Sequence, residues 1–239
     1  HDYNHHLVIV NTGKGHADLS EEYSEIPMEM KEAAKAAGAE LLCETTLDQV
    51  LANIDKIDND RAILRAIHFF KENERGERAA KAVEEKDGET VLKLLSESGK
   101  SSWELLQNCY PIKAYTEQKI SVALALTDLF LEKLGKGICR IHGGGFAGVI
   151  MCVVPEEETE NYVSYISEFA GKENVYPMNI RAVGENEEAA RSAGINVLLT
   201  KFIALVLCGV FCALAGAHLS LGQLQGTFAE NMSNNRGYI

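Results

Sequence analysis

Hydrophobic and polar positions follow two periods along this chain, one of strands and one of helices. Residues 6–11 (HLVIVN) are a short apolar run closed by Thr12-Gly13, which predicts a buried strand. Residues 28–37 (MEMKEAAKAA) favour helix and stop at Gly38. Asp18 and Ser20 stand where N-caps would, and Pro27 suits a first helical turn. Residues 46–54 predict a second helix. Residues 58–91 place Ile63, Ile67 and Phe70 at helical spacing and predict two helices broken near Lys86-Asp87-Gly88. Further helices are predicted over 92–108 and 118–134. Glycines then change the texture. Residues 137–142 and 149–154 read as two strands around a glycine loop, 155–169 as an amphipathic helix and 175–183 as a closing strand. The fold class is α+β, with a helical middle and a strand–Gly-loop–strand–helix–strand end.

Past Gly184 the pattern is different. Residues 185–193 are polar and helix-prone, and residues 198–221 are apolar, with one Lys, Lys201, near the start and one His, His218, near the end. A bilayer-spanning helix needs roughly 20 such residues. Gly209, Ala213, Gly216 and Ala217 add small residues at the spacing of membrane helix contacts. The expectation is one long hydrophobic helix and membrane association through 198–221. A buried core helix is the alternative, less favoured because such helices seldom run so long without a charge.

Charge divides the chain at the same place. The net charge is -12, but residues 186–239 carry three basic and three acidic side chains. All of the -12 therefore belongs to residues 1–185. Such an acidic surface excludes non-specific nucleic-acid binding, which wants basic residues. The six cysteines are scattered and read as reduced thiols. The first residue is His1, and no signal-peptide pattern follows it. An upstream part is expected to be missing.

The strongest local candidate for chemistry is Ile141-His142-Gly143-Gly144-Gly145-Phe146-Ala147-Gly148. Serial glycines let backbone N–H groups approach a ligand closely, and they also serve a tight turn that merely relieves strain. Both readings stay open on the residues alone. The loop is not the dinucleotide fingerprint, which needs G-x-G-x-x-G between a strand and a helix. Gly99-Lys100-Ser101 is not a P-loop, since Leu94 stands where the first glycine must be. His1, His5, His6, His16 and Asp18 match no ligand spacing, and the cysteines show no CxxC pair, so no metal site is expected. Cys208 and Cys212, one turn apart in the apolar stretch, read as packing residues, and Trp103 and Tyr110 as core. Arg61, Arg65, Arg75 and Arg78 form a stripe facing Glu72, Glu74 and Glu77, expected to be solvated ion pairs of little worth.

Residues 1–184 resemble the C-terminal half of galactokinase, a GHMP small-molecule kinase. The resemblance is carried by Asp2-Tyr3, LVIVNTGKGHADLS (7–20), Tyr23, RAILRAIHFFKENERGERA (61–79), SESGKSSWELLQNCY (96–110), CRIHGGGFAGVIMCVVP (139–155) and YPMNIRAVG (176–184). Ala147 departs from the glycine usual in that loop. The resemblance implies ATP- and Mg2+-dependent phosphorylation of the galactose C1 hydroxyl by a cytoplasmic enzyme. It places the catalytic residues, the nucleotide loop and most sugar ligands upstream of His1, so no catalytic residue is expected in this chain. What carries over is the glycine loop (Gly143, Gly144, Gly145, Phe146, Gly148) and Tyr23, similar to the family's sugar-contacting tyrosine. Phosphoryl transfer is mostly positioning and charge stabilisation. Without those upstream parts the chain alone is expected to be inactive and not to bind ATP and Mg2+.

Residues 181–239 resemble a permease subunit of an ABC importer for simple sugars or nucleosides, through RAVGENEEAARSAGI, the apolar span and ENMSNNRGYI. Both families share R-x-V-G, so the expected join lies within Arg181 to Gly184. The expected units are 1–184, kinase-like and truncated at its start, and 185–239, permease-like. The economical reading is a chimera across that short shared sequence.

Overall fold

A computed structural model describes residues 5–13, 19–146 and 148–178. The predicted elements past residue 178, the apolar stretch 198–221 included, lie outside the described residues.

Four strands form one antiparallel sheet: β1 (His5–Asn11), β2 (Ile138–His142), β3 (Val149–Pro155) and β4 (Val175–Met178), in the order β2-β3-β1-β4. Val8 lies opposite Cys152 on β3 and Pro177 on β4, and Ile141 lies opposite Ile150. Side chains alternate between the two faces. One face thus gathers Val8, Val10, Cys139, Ile141, Ile150, Cys152 and Val154, all buried. The helices α5 (Lys119–Leu134) and α6 (Thr159–Ala170) cover it with Ile120, Ala123, Leu124, Leu131, Tyr162 and Ile166. Each large side chain fully withdrawn from water there contributes about 1.5–3 kcal/mol before entropy is charged against it. The buried Tyr162 hydroxyl is satisfied by Thr127 at 2.8 Å and Cys152 at 2.9 Å. Trp103 and Tyr110 pack against this core, as their sequence context predicts.

A second core joins α1 (Ser20–Ala36), α2 (Leu47–Leu51) and α3 (Asp60–Glu84) through Ala33, Ala34, Leu42, Val50, Ile57, Ala62 and Ala66. Helix α4 (Gly88–Ser101) approaches β2 on the side of Arg140, opposite to Cys139 and Ile141. Gly99 permits that approach, since a Cβ there would stand 2.7 Å from Arg140 Cβ. Gly99-Lys100-Ser101 thus ends a helix and packs on a strand, which agrees with setting aside the P-loop.

Several boundaries differ from the sequence pattern. Helix α1 begins at Ser20, so Pro27 lies inside it rather than in its first turn, and Leu19, not Asp18 or Ser20, precedes it without a side-chain cap. Glu21 and Glu22 in the first turn favour this early start through the helix dipole. The helix expected over 92–108 is not separate. Asp87 accepts from the Thr90 N–H and starts α4 at Gly88, so the break at Lys86-Asp87-Gly88 ends one helix and opens the next. It closes in a π-helical turn, Ser102–Leu106, with Gln107 left-handed at φ 57°. Among the described residues no helix is long and apolar enough to cross a membrane.

Candidate functional site

The glycine loop joins β2 to β3 and lies against the first turn of α1. Three neighbours hold it by its carbonyls. Tyr23 Oη donates to Gly145 O at 2.8 Å, Asn108 Nδ2 donates to Gly144 O at 3.1 Å, and Thr12 donates to Gly148 O through both Oγ1 (2.8 Å) and N (2.9 Å). Phe146 N–H donates in turn to Asn108 O at 2.5 Å. The Phe146 ring is buried edge-on against Tyr23, with centroids 5.4 Å apart, and beside Leu19 and Ile26. Phe146 pays for that placement with a left-handed backbone, φ 60°, rare for an aromatic residue. Gly144 must be glycine for space, since a Cβ would come within 2.7 Å of the Tyr23 ring.

So the structure brings Tyr23 together with Gly143, Gly144, Gly145, Phe146 and Gly148, across more than a hundred residues of sequence. Burial, with the Glu22 charge beside it, raises the Tyr23 phenol above its ordinary value. Asn108 and Thr12 were not candidates from the sequence. Both lie in stretches that carry the family resemblance, but a single hydrogen-bonding residue has no periodic signal that would single it out within them.

Behind the loop, charged side chains expected on a solvated stripe are largely buried, which corrects that expectation for three of four arginines. Arg65 is fully buried, Arg61 and Arg75 are mostly so, and only Arg78 is open to solvent. The stripe faces α1 and α4 rather than water. Glu29 receives Arg65 Nη1 at 2.8 Å and Arg61 at 2.9 Å, while Arg65 Nε donates to Leu106 O at 3.1 Å. Burial would raise the Glu29 carboxyl, but hydrogen bonds from Arg61 and Asn59 and the Arg65 charge outweigh it and hold it low. A second cluster runs from α3 to β2. Glu72 receives Arg75 and Ser98 Oγ, and Ser98 Oγ receives Arg140 Nη1 at 2.8 Å. His68 Nδ1 meets Ser101 Oγ at 2.9 Å. Burial depresses the His68 imidazole, with Arg75 and Arg140 working the same way against Glu72. His142, at the end of β2, is depressed by burial and by Arg140.

Among the described residues no group of three or more His, Cys, Asp or Glu lies close enough to hold a metal ion. His5 and His6 are strand residues; His1, His16, Asp18, Cys208 and Cys212 lie outside the described residues. Cys139 and Cys152 face one another across β2 and β3 as thiols, and burial pushes Cys152 up to about 12.

Comparison with known proteins finds two kinds of relative. The galactokinase of Actinobacillus pleuropneumoniae serotype 3 (strain JL03) is 30% identical over 158 residues, covering 65% of this chain and 38% of that protein. The galactokinase of Limosilactobacillus reuteri (strain DSM 20016) is 31% identical over 163 residues, again 65% of this chain and 38% of that one. The chain thus spans well under half the length of these relatives. Galactokinase of Lactococcus lactis, solved in complex with galactose, shares the fold with a TM-score of 0.58 at 23% identity, covering 73% of this chain and 45% of that one. Separately, residues 175–237 match the family of branched-chain amino acid transport system permease components. Over about 65% of its length the chain is homologous to galactokinases, and its last stretch is similar to a transporter permease component.

Proposed function

We propose that residues 1–184 are the substrate-side portion of a galactokinase-type sugar kinase, with the glycine loop and Tyr23 facing the sugar, and that this chain alone does not turn over. The observation that carries the reading is the clamp on the loop. Tyr23, Asn108 and Thr12 each hold one carbonyl, those of Gly145, Gly144 and Gly148 respectively, in the stretch homologous to galactokinases. Serial glycine amides held this way are suited to meeting ligand oxygens at short range. ATP with Mg2+ supplies the transferred phosphoryl group in a full-length kinase. The described residues offer no carboxylate cluster for the metal, so no step through it is assigned to this chain. Its own contribution is narrower: it fixes the loop backbone, with the Tyr23 hydroxyl donating to Gly145 O.

The test is to purify the whole chain, measure galactose binding by Trp103 fluorescence, and measure galactose-dependent ADP release. Binding without turnover is expected. Turnover at ordinary kinase rates, roughly 1–100 per second, would refute the claim of inactivity. No binding at any galactose concentration would remove the sugar-facing reading.

A second reading is favoured by the match at 175–237, in which the tail is a piece of a transporter permease. The matched family is described for branched-chain amino acids, whereas the residues resemble importers of simple sugars or nucleosides. The match begins at Val175, yet residues 175–178 pair with β1 from Val10 to Leu7. The sheet therefore claims them for the kinase-like unit, which supports a join after Met178, consistent with Arg181 to Gly184. Amplification across that join from source DNA tests the chimera; a continuous product with an upstream kinase start would argue for a single real gene.

A further inference from the structure

We propose that Asn108 is a positioning residue of the glycine loop: its side chain and its own carbonyl together set the direction in which the Gly145 N–H points. The inference deepens the sugar-kinase reading and rests on it for the loop's ligand.

Asn108 is 2% exposed and lies one residue beyond Gln107, whose left-handed backbone turns the chain out of the π-helical turn. Arg65 Nε fixes the preceding stretch by binding Leu106 O at 3.1 Å. From that fixed base Asn108 grips the loop twice, on either side of Gly145. Its Nδ2 donates to Gly144 O at 3.1 Å, and its backbone O accepts from Phe146 N–H at 2.5 Å. A trans peptide is planar, with C=O and N–H pointing opposite ways. Drawing Gly144 O toward Asn108 therefore turns the Gly145 N–H away from it. The next peptide is set the same way: Gly145 O goes to Tyr23 and Phe146 N–H to Asn108. Both peptide planes around Gly145 are thus fixed from the protein side. Gly145 itself closes the arrangement at φ +86°, where a Cβ would stand 2.3 Å from Asn108 O. Among the described residues no protein acceptor meets the Gly145 N–H. It is the loop amide this geometry presents to a ligand oxygen.

The experiment uses the full chain labelled with 15N and follows hydrogen exchange of individual amides. Two side-chain variants are compared, Asn108→Ala and Asn108→Asp; the second keeps the volume but removes the donor. Loss of that bond is expected to speed exchange at Phe146 about tenfold in both variants. Val8 and Cys152, in the sheet, should stay within about twofold. Wild-type exchange at Phe146 in Asn108→Asp would overturn the proposal, as would a uniform acceleration across all amides, which marks a merely structural role. Should either variant fail to fold, the unmutated chain still decides. There the Asn108 carboxamide protons must exchange slowly, and solvent-like exchange overturns the proposal. Galactose titration on the same spectra separates this claim from the reading beneath it. A shift at the Gly145 amide supports both. No shift at any residue, with the exchange pattern intact, supports the clamp and refutes the sugar-binding reading.

Discussion

Gly143 and Gly145 carry nearly the same backbone angle, +80° and +86°, in opposite surroundings. An added Cβ at Gly143 meets nothing within 4 Å, whereas one at Gly145 meets the Asn108 backbone at 2.3 Å. Gly143→Ala then costs only the left-handed penalty, about 1–2 kcal/mol. Gly145→Ala costs that and an overlap with backbone that cannot swing aside, about 3 kcal/mol or more in sum. Urea unfolding of both variants checks the ratio; equal losses would contradict the clamp geometry. A second prediction at this scale concerns pH. His68 and His142 both have imidazoles depressed below 6.5, first by burial. A base whose folded value is lowered contributes stability that is complete above its unfolded value and lost as pH falls below it. The urea midpoint should therefore fall between pH 7.5 and 5.5, and a double His68→Asn, His142→Asn variant should lose that slope. Glu29, also depressed, moves stability in the same direction only below its ordinary 4.5, outside this window. Of these residues the sequence made the glycines legible, because runs of glycine have few uses. Asn108 was not, since its partner Gly144 is 36 positions away and a single carboxamide has no period.

Helices α1, α3 and α4 show why element existence is easier to read than element content. The strands and the break at Lys86-Asp87-Gly88 follow from apolar runs and turn residues, which are local. The identity of the face covering α3 is not local, and Arg65 looks like any exposed helical arginine until α1 and Leu106 are placed around it. Truncating Arg65 leaves Glu29 buried with only Arg61 and Asn59 against it, so Arg65→Ala should cost about 3–5 kcal/mol in thermal or urea unfolding. A loss under 1 kcal/mol would restore the solvated-stripe reading. Pro27 makes the opposite prediction. Inside α1 it withholds the N–H that the helical ladder would deliver to the Tyr23 carbonyl, at up to about 3 kcal/mol. Proline also restricts the unfolded chain, worth about 0.4–1 kcal/mol in its favour. The helix penalty is larger, so Pro27→Ala should raise the melting temperature. An unchanged or lower value would mean that α1 is strained elsewhere.

The whole chain joins two stretches of unlike composition. Its -12 resides before residue 186, on a body with cores of its own and homology to galactokinases, while residues 186–239 sum to zero and include the apolar run 198–221. This division was legible from charge and hydropathy alone, because neither requires knowing what packs on what. Where one stretch ends is less legible, since the shared R-x-V-G reads equally well in both families; the pairing of β4 with β1 adds that residues 175–178 are part of the described sheet. The consequence is a difference in solvent preference. Apolar burial is worth about 25 cal/mol per Å2, so an uncovered stretch of some two dozen apolar residues would drive the full chain into detergent, membrane or aggregate. A chain ending at residue 184 keeps the sheet, both cores and nearly all the charge. Expressed side by side, residues 1–184 should remain in solution without detergent and the full chain should need it. Vesicle flotation then separates insertion from aggregation, since only an inserted chain rises with the lipid and resists alkaline washing. A full chain that stays monomeric in plain buffer would overturn the membrane reading of 198–221, and an insoluble 1–184 would show that the kinase-like unit needs more than these residues to cover its surface.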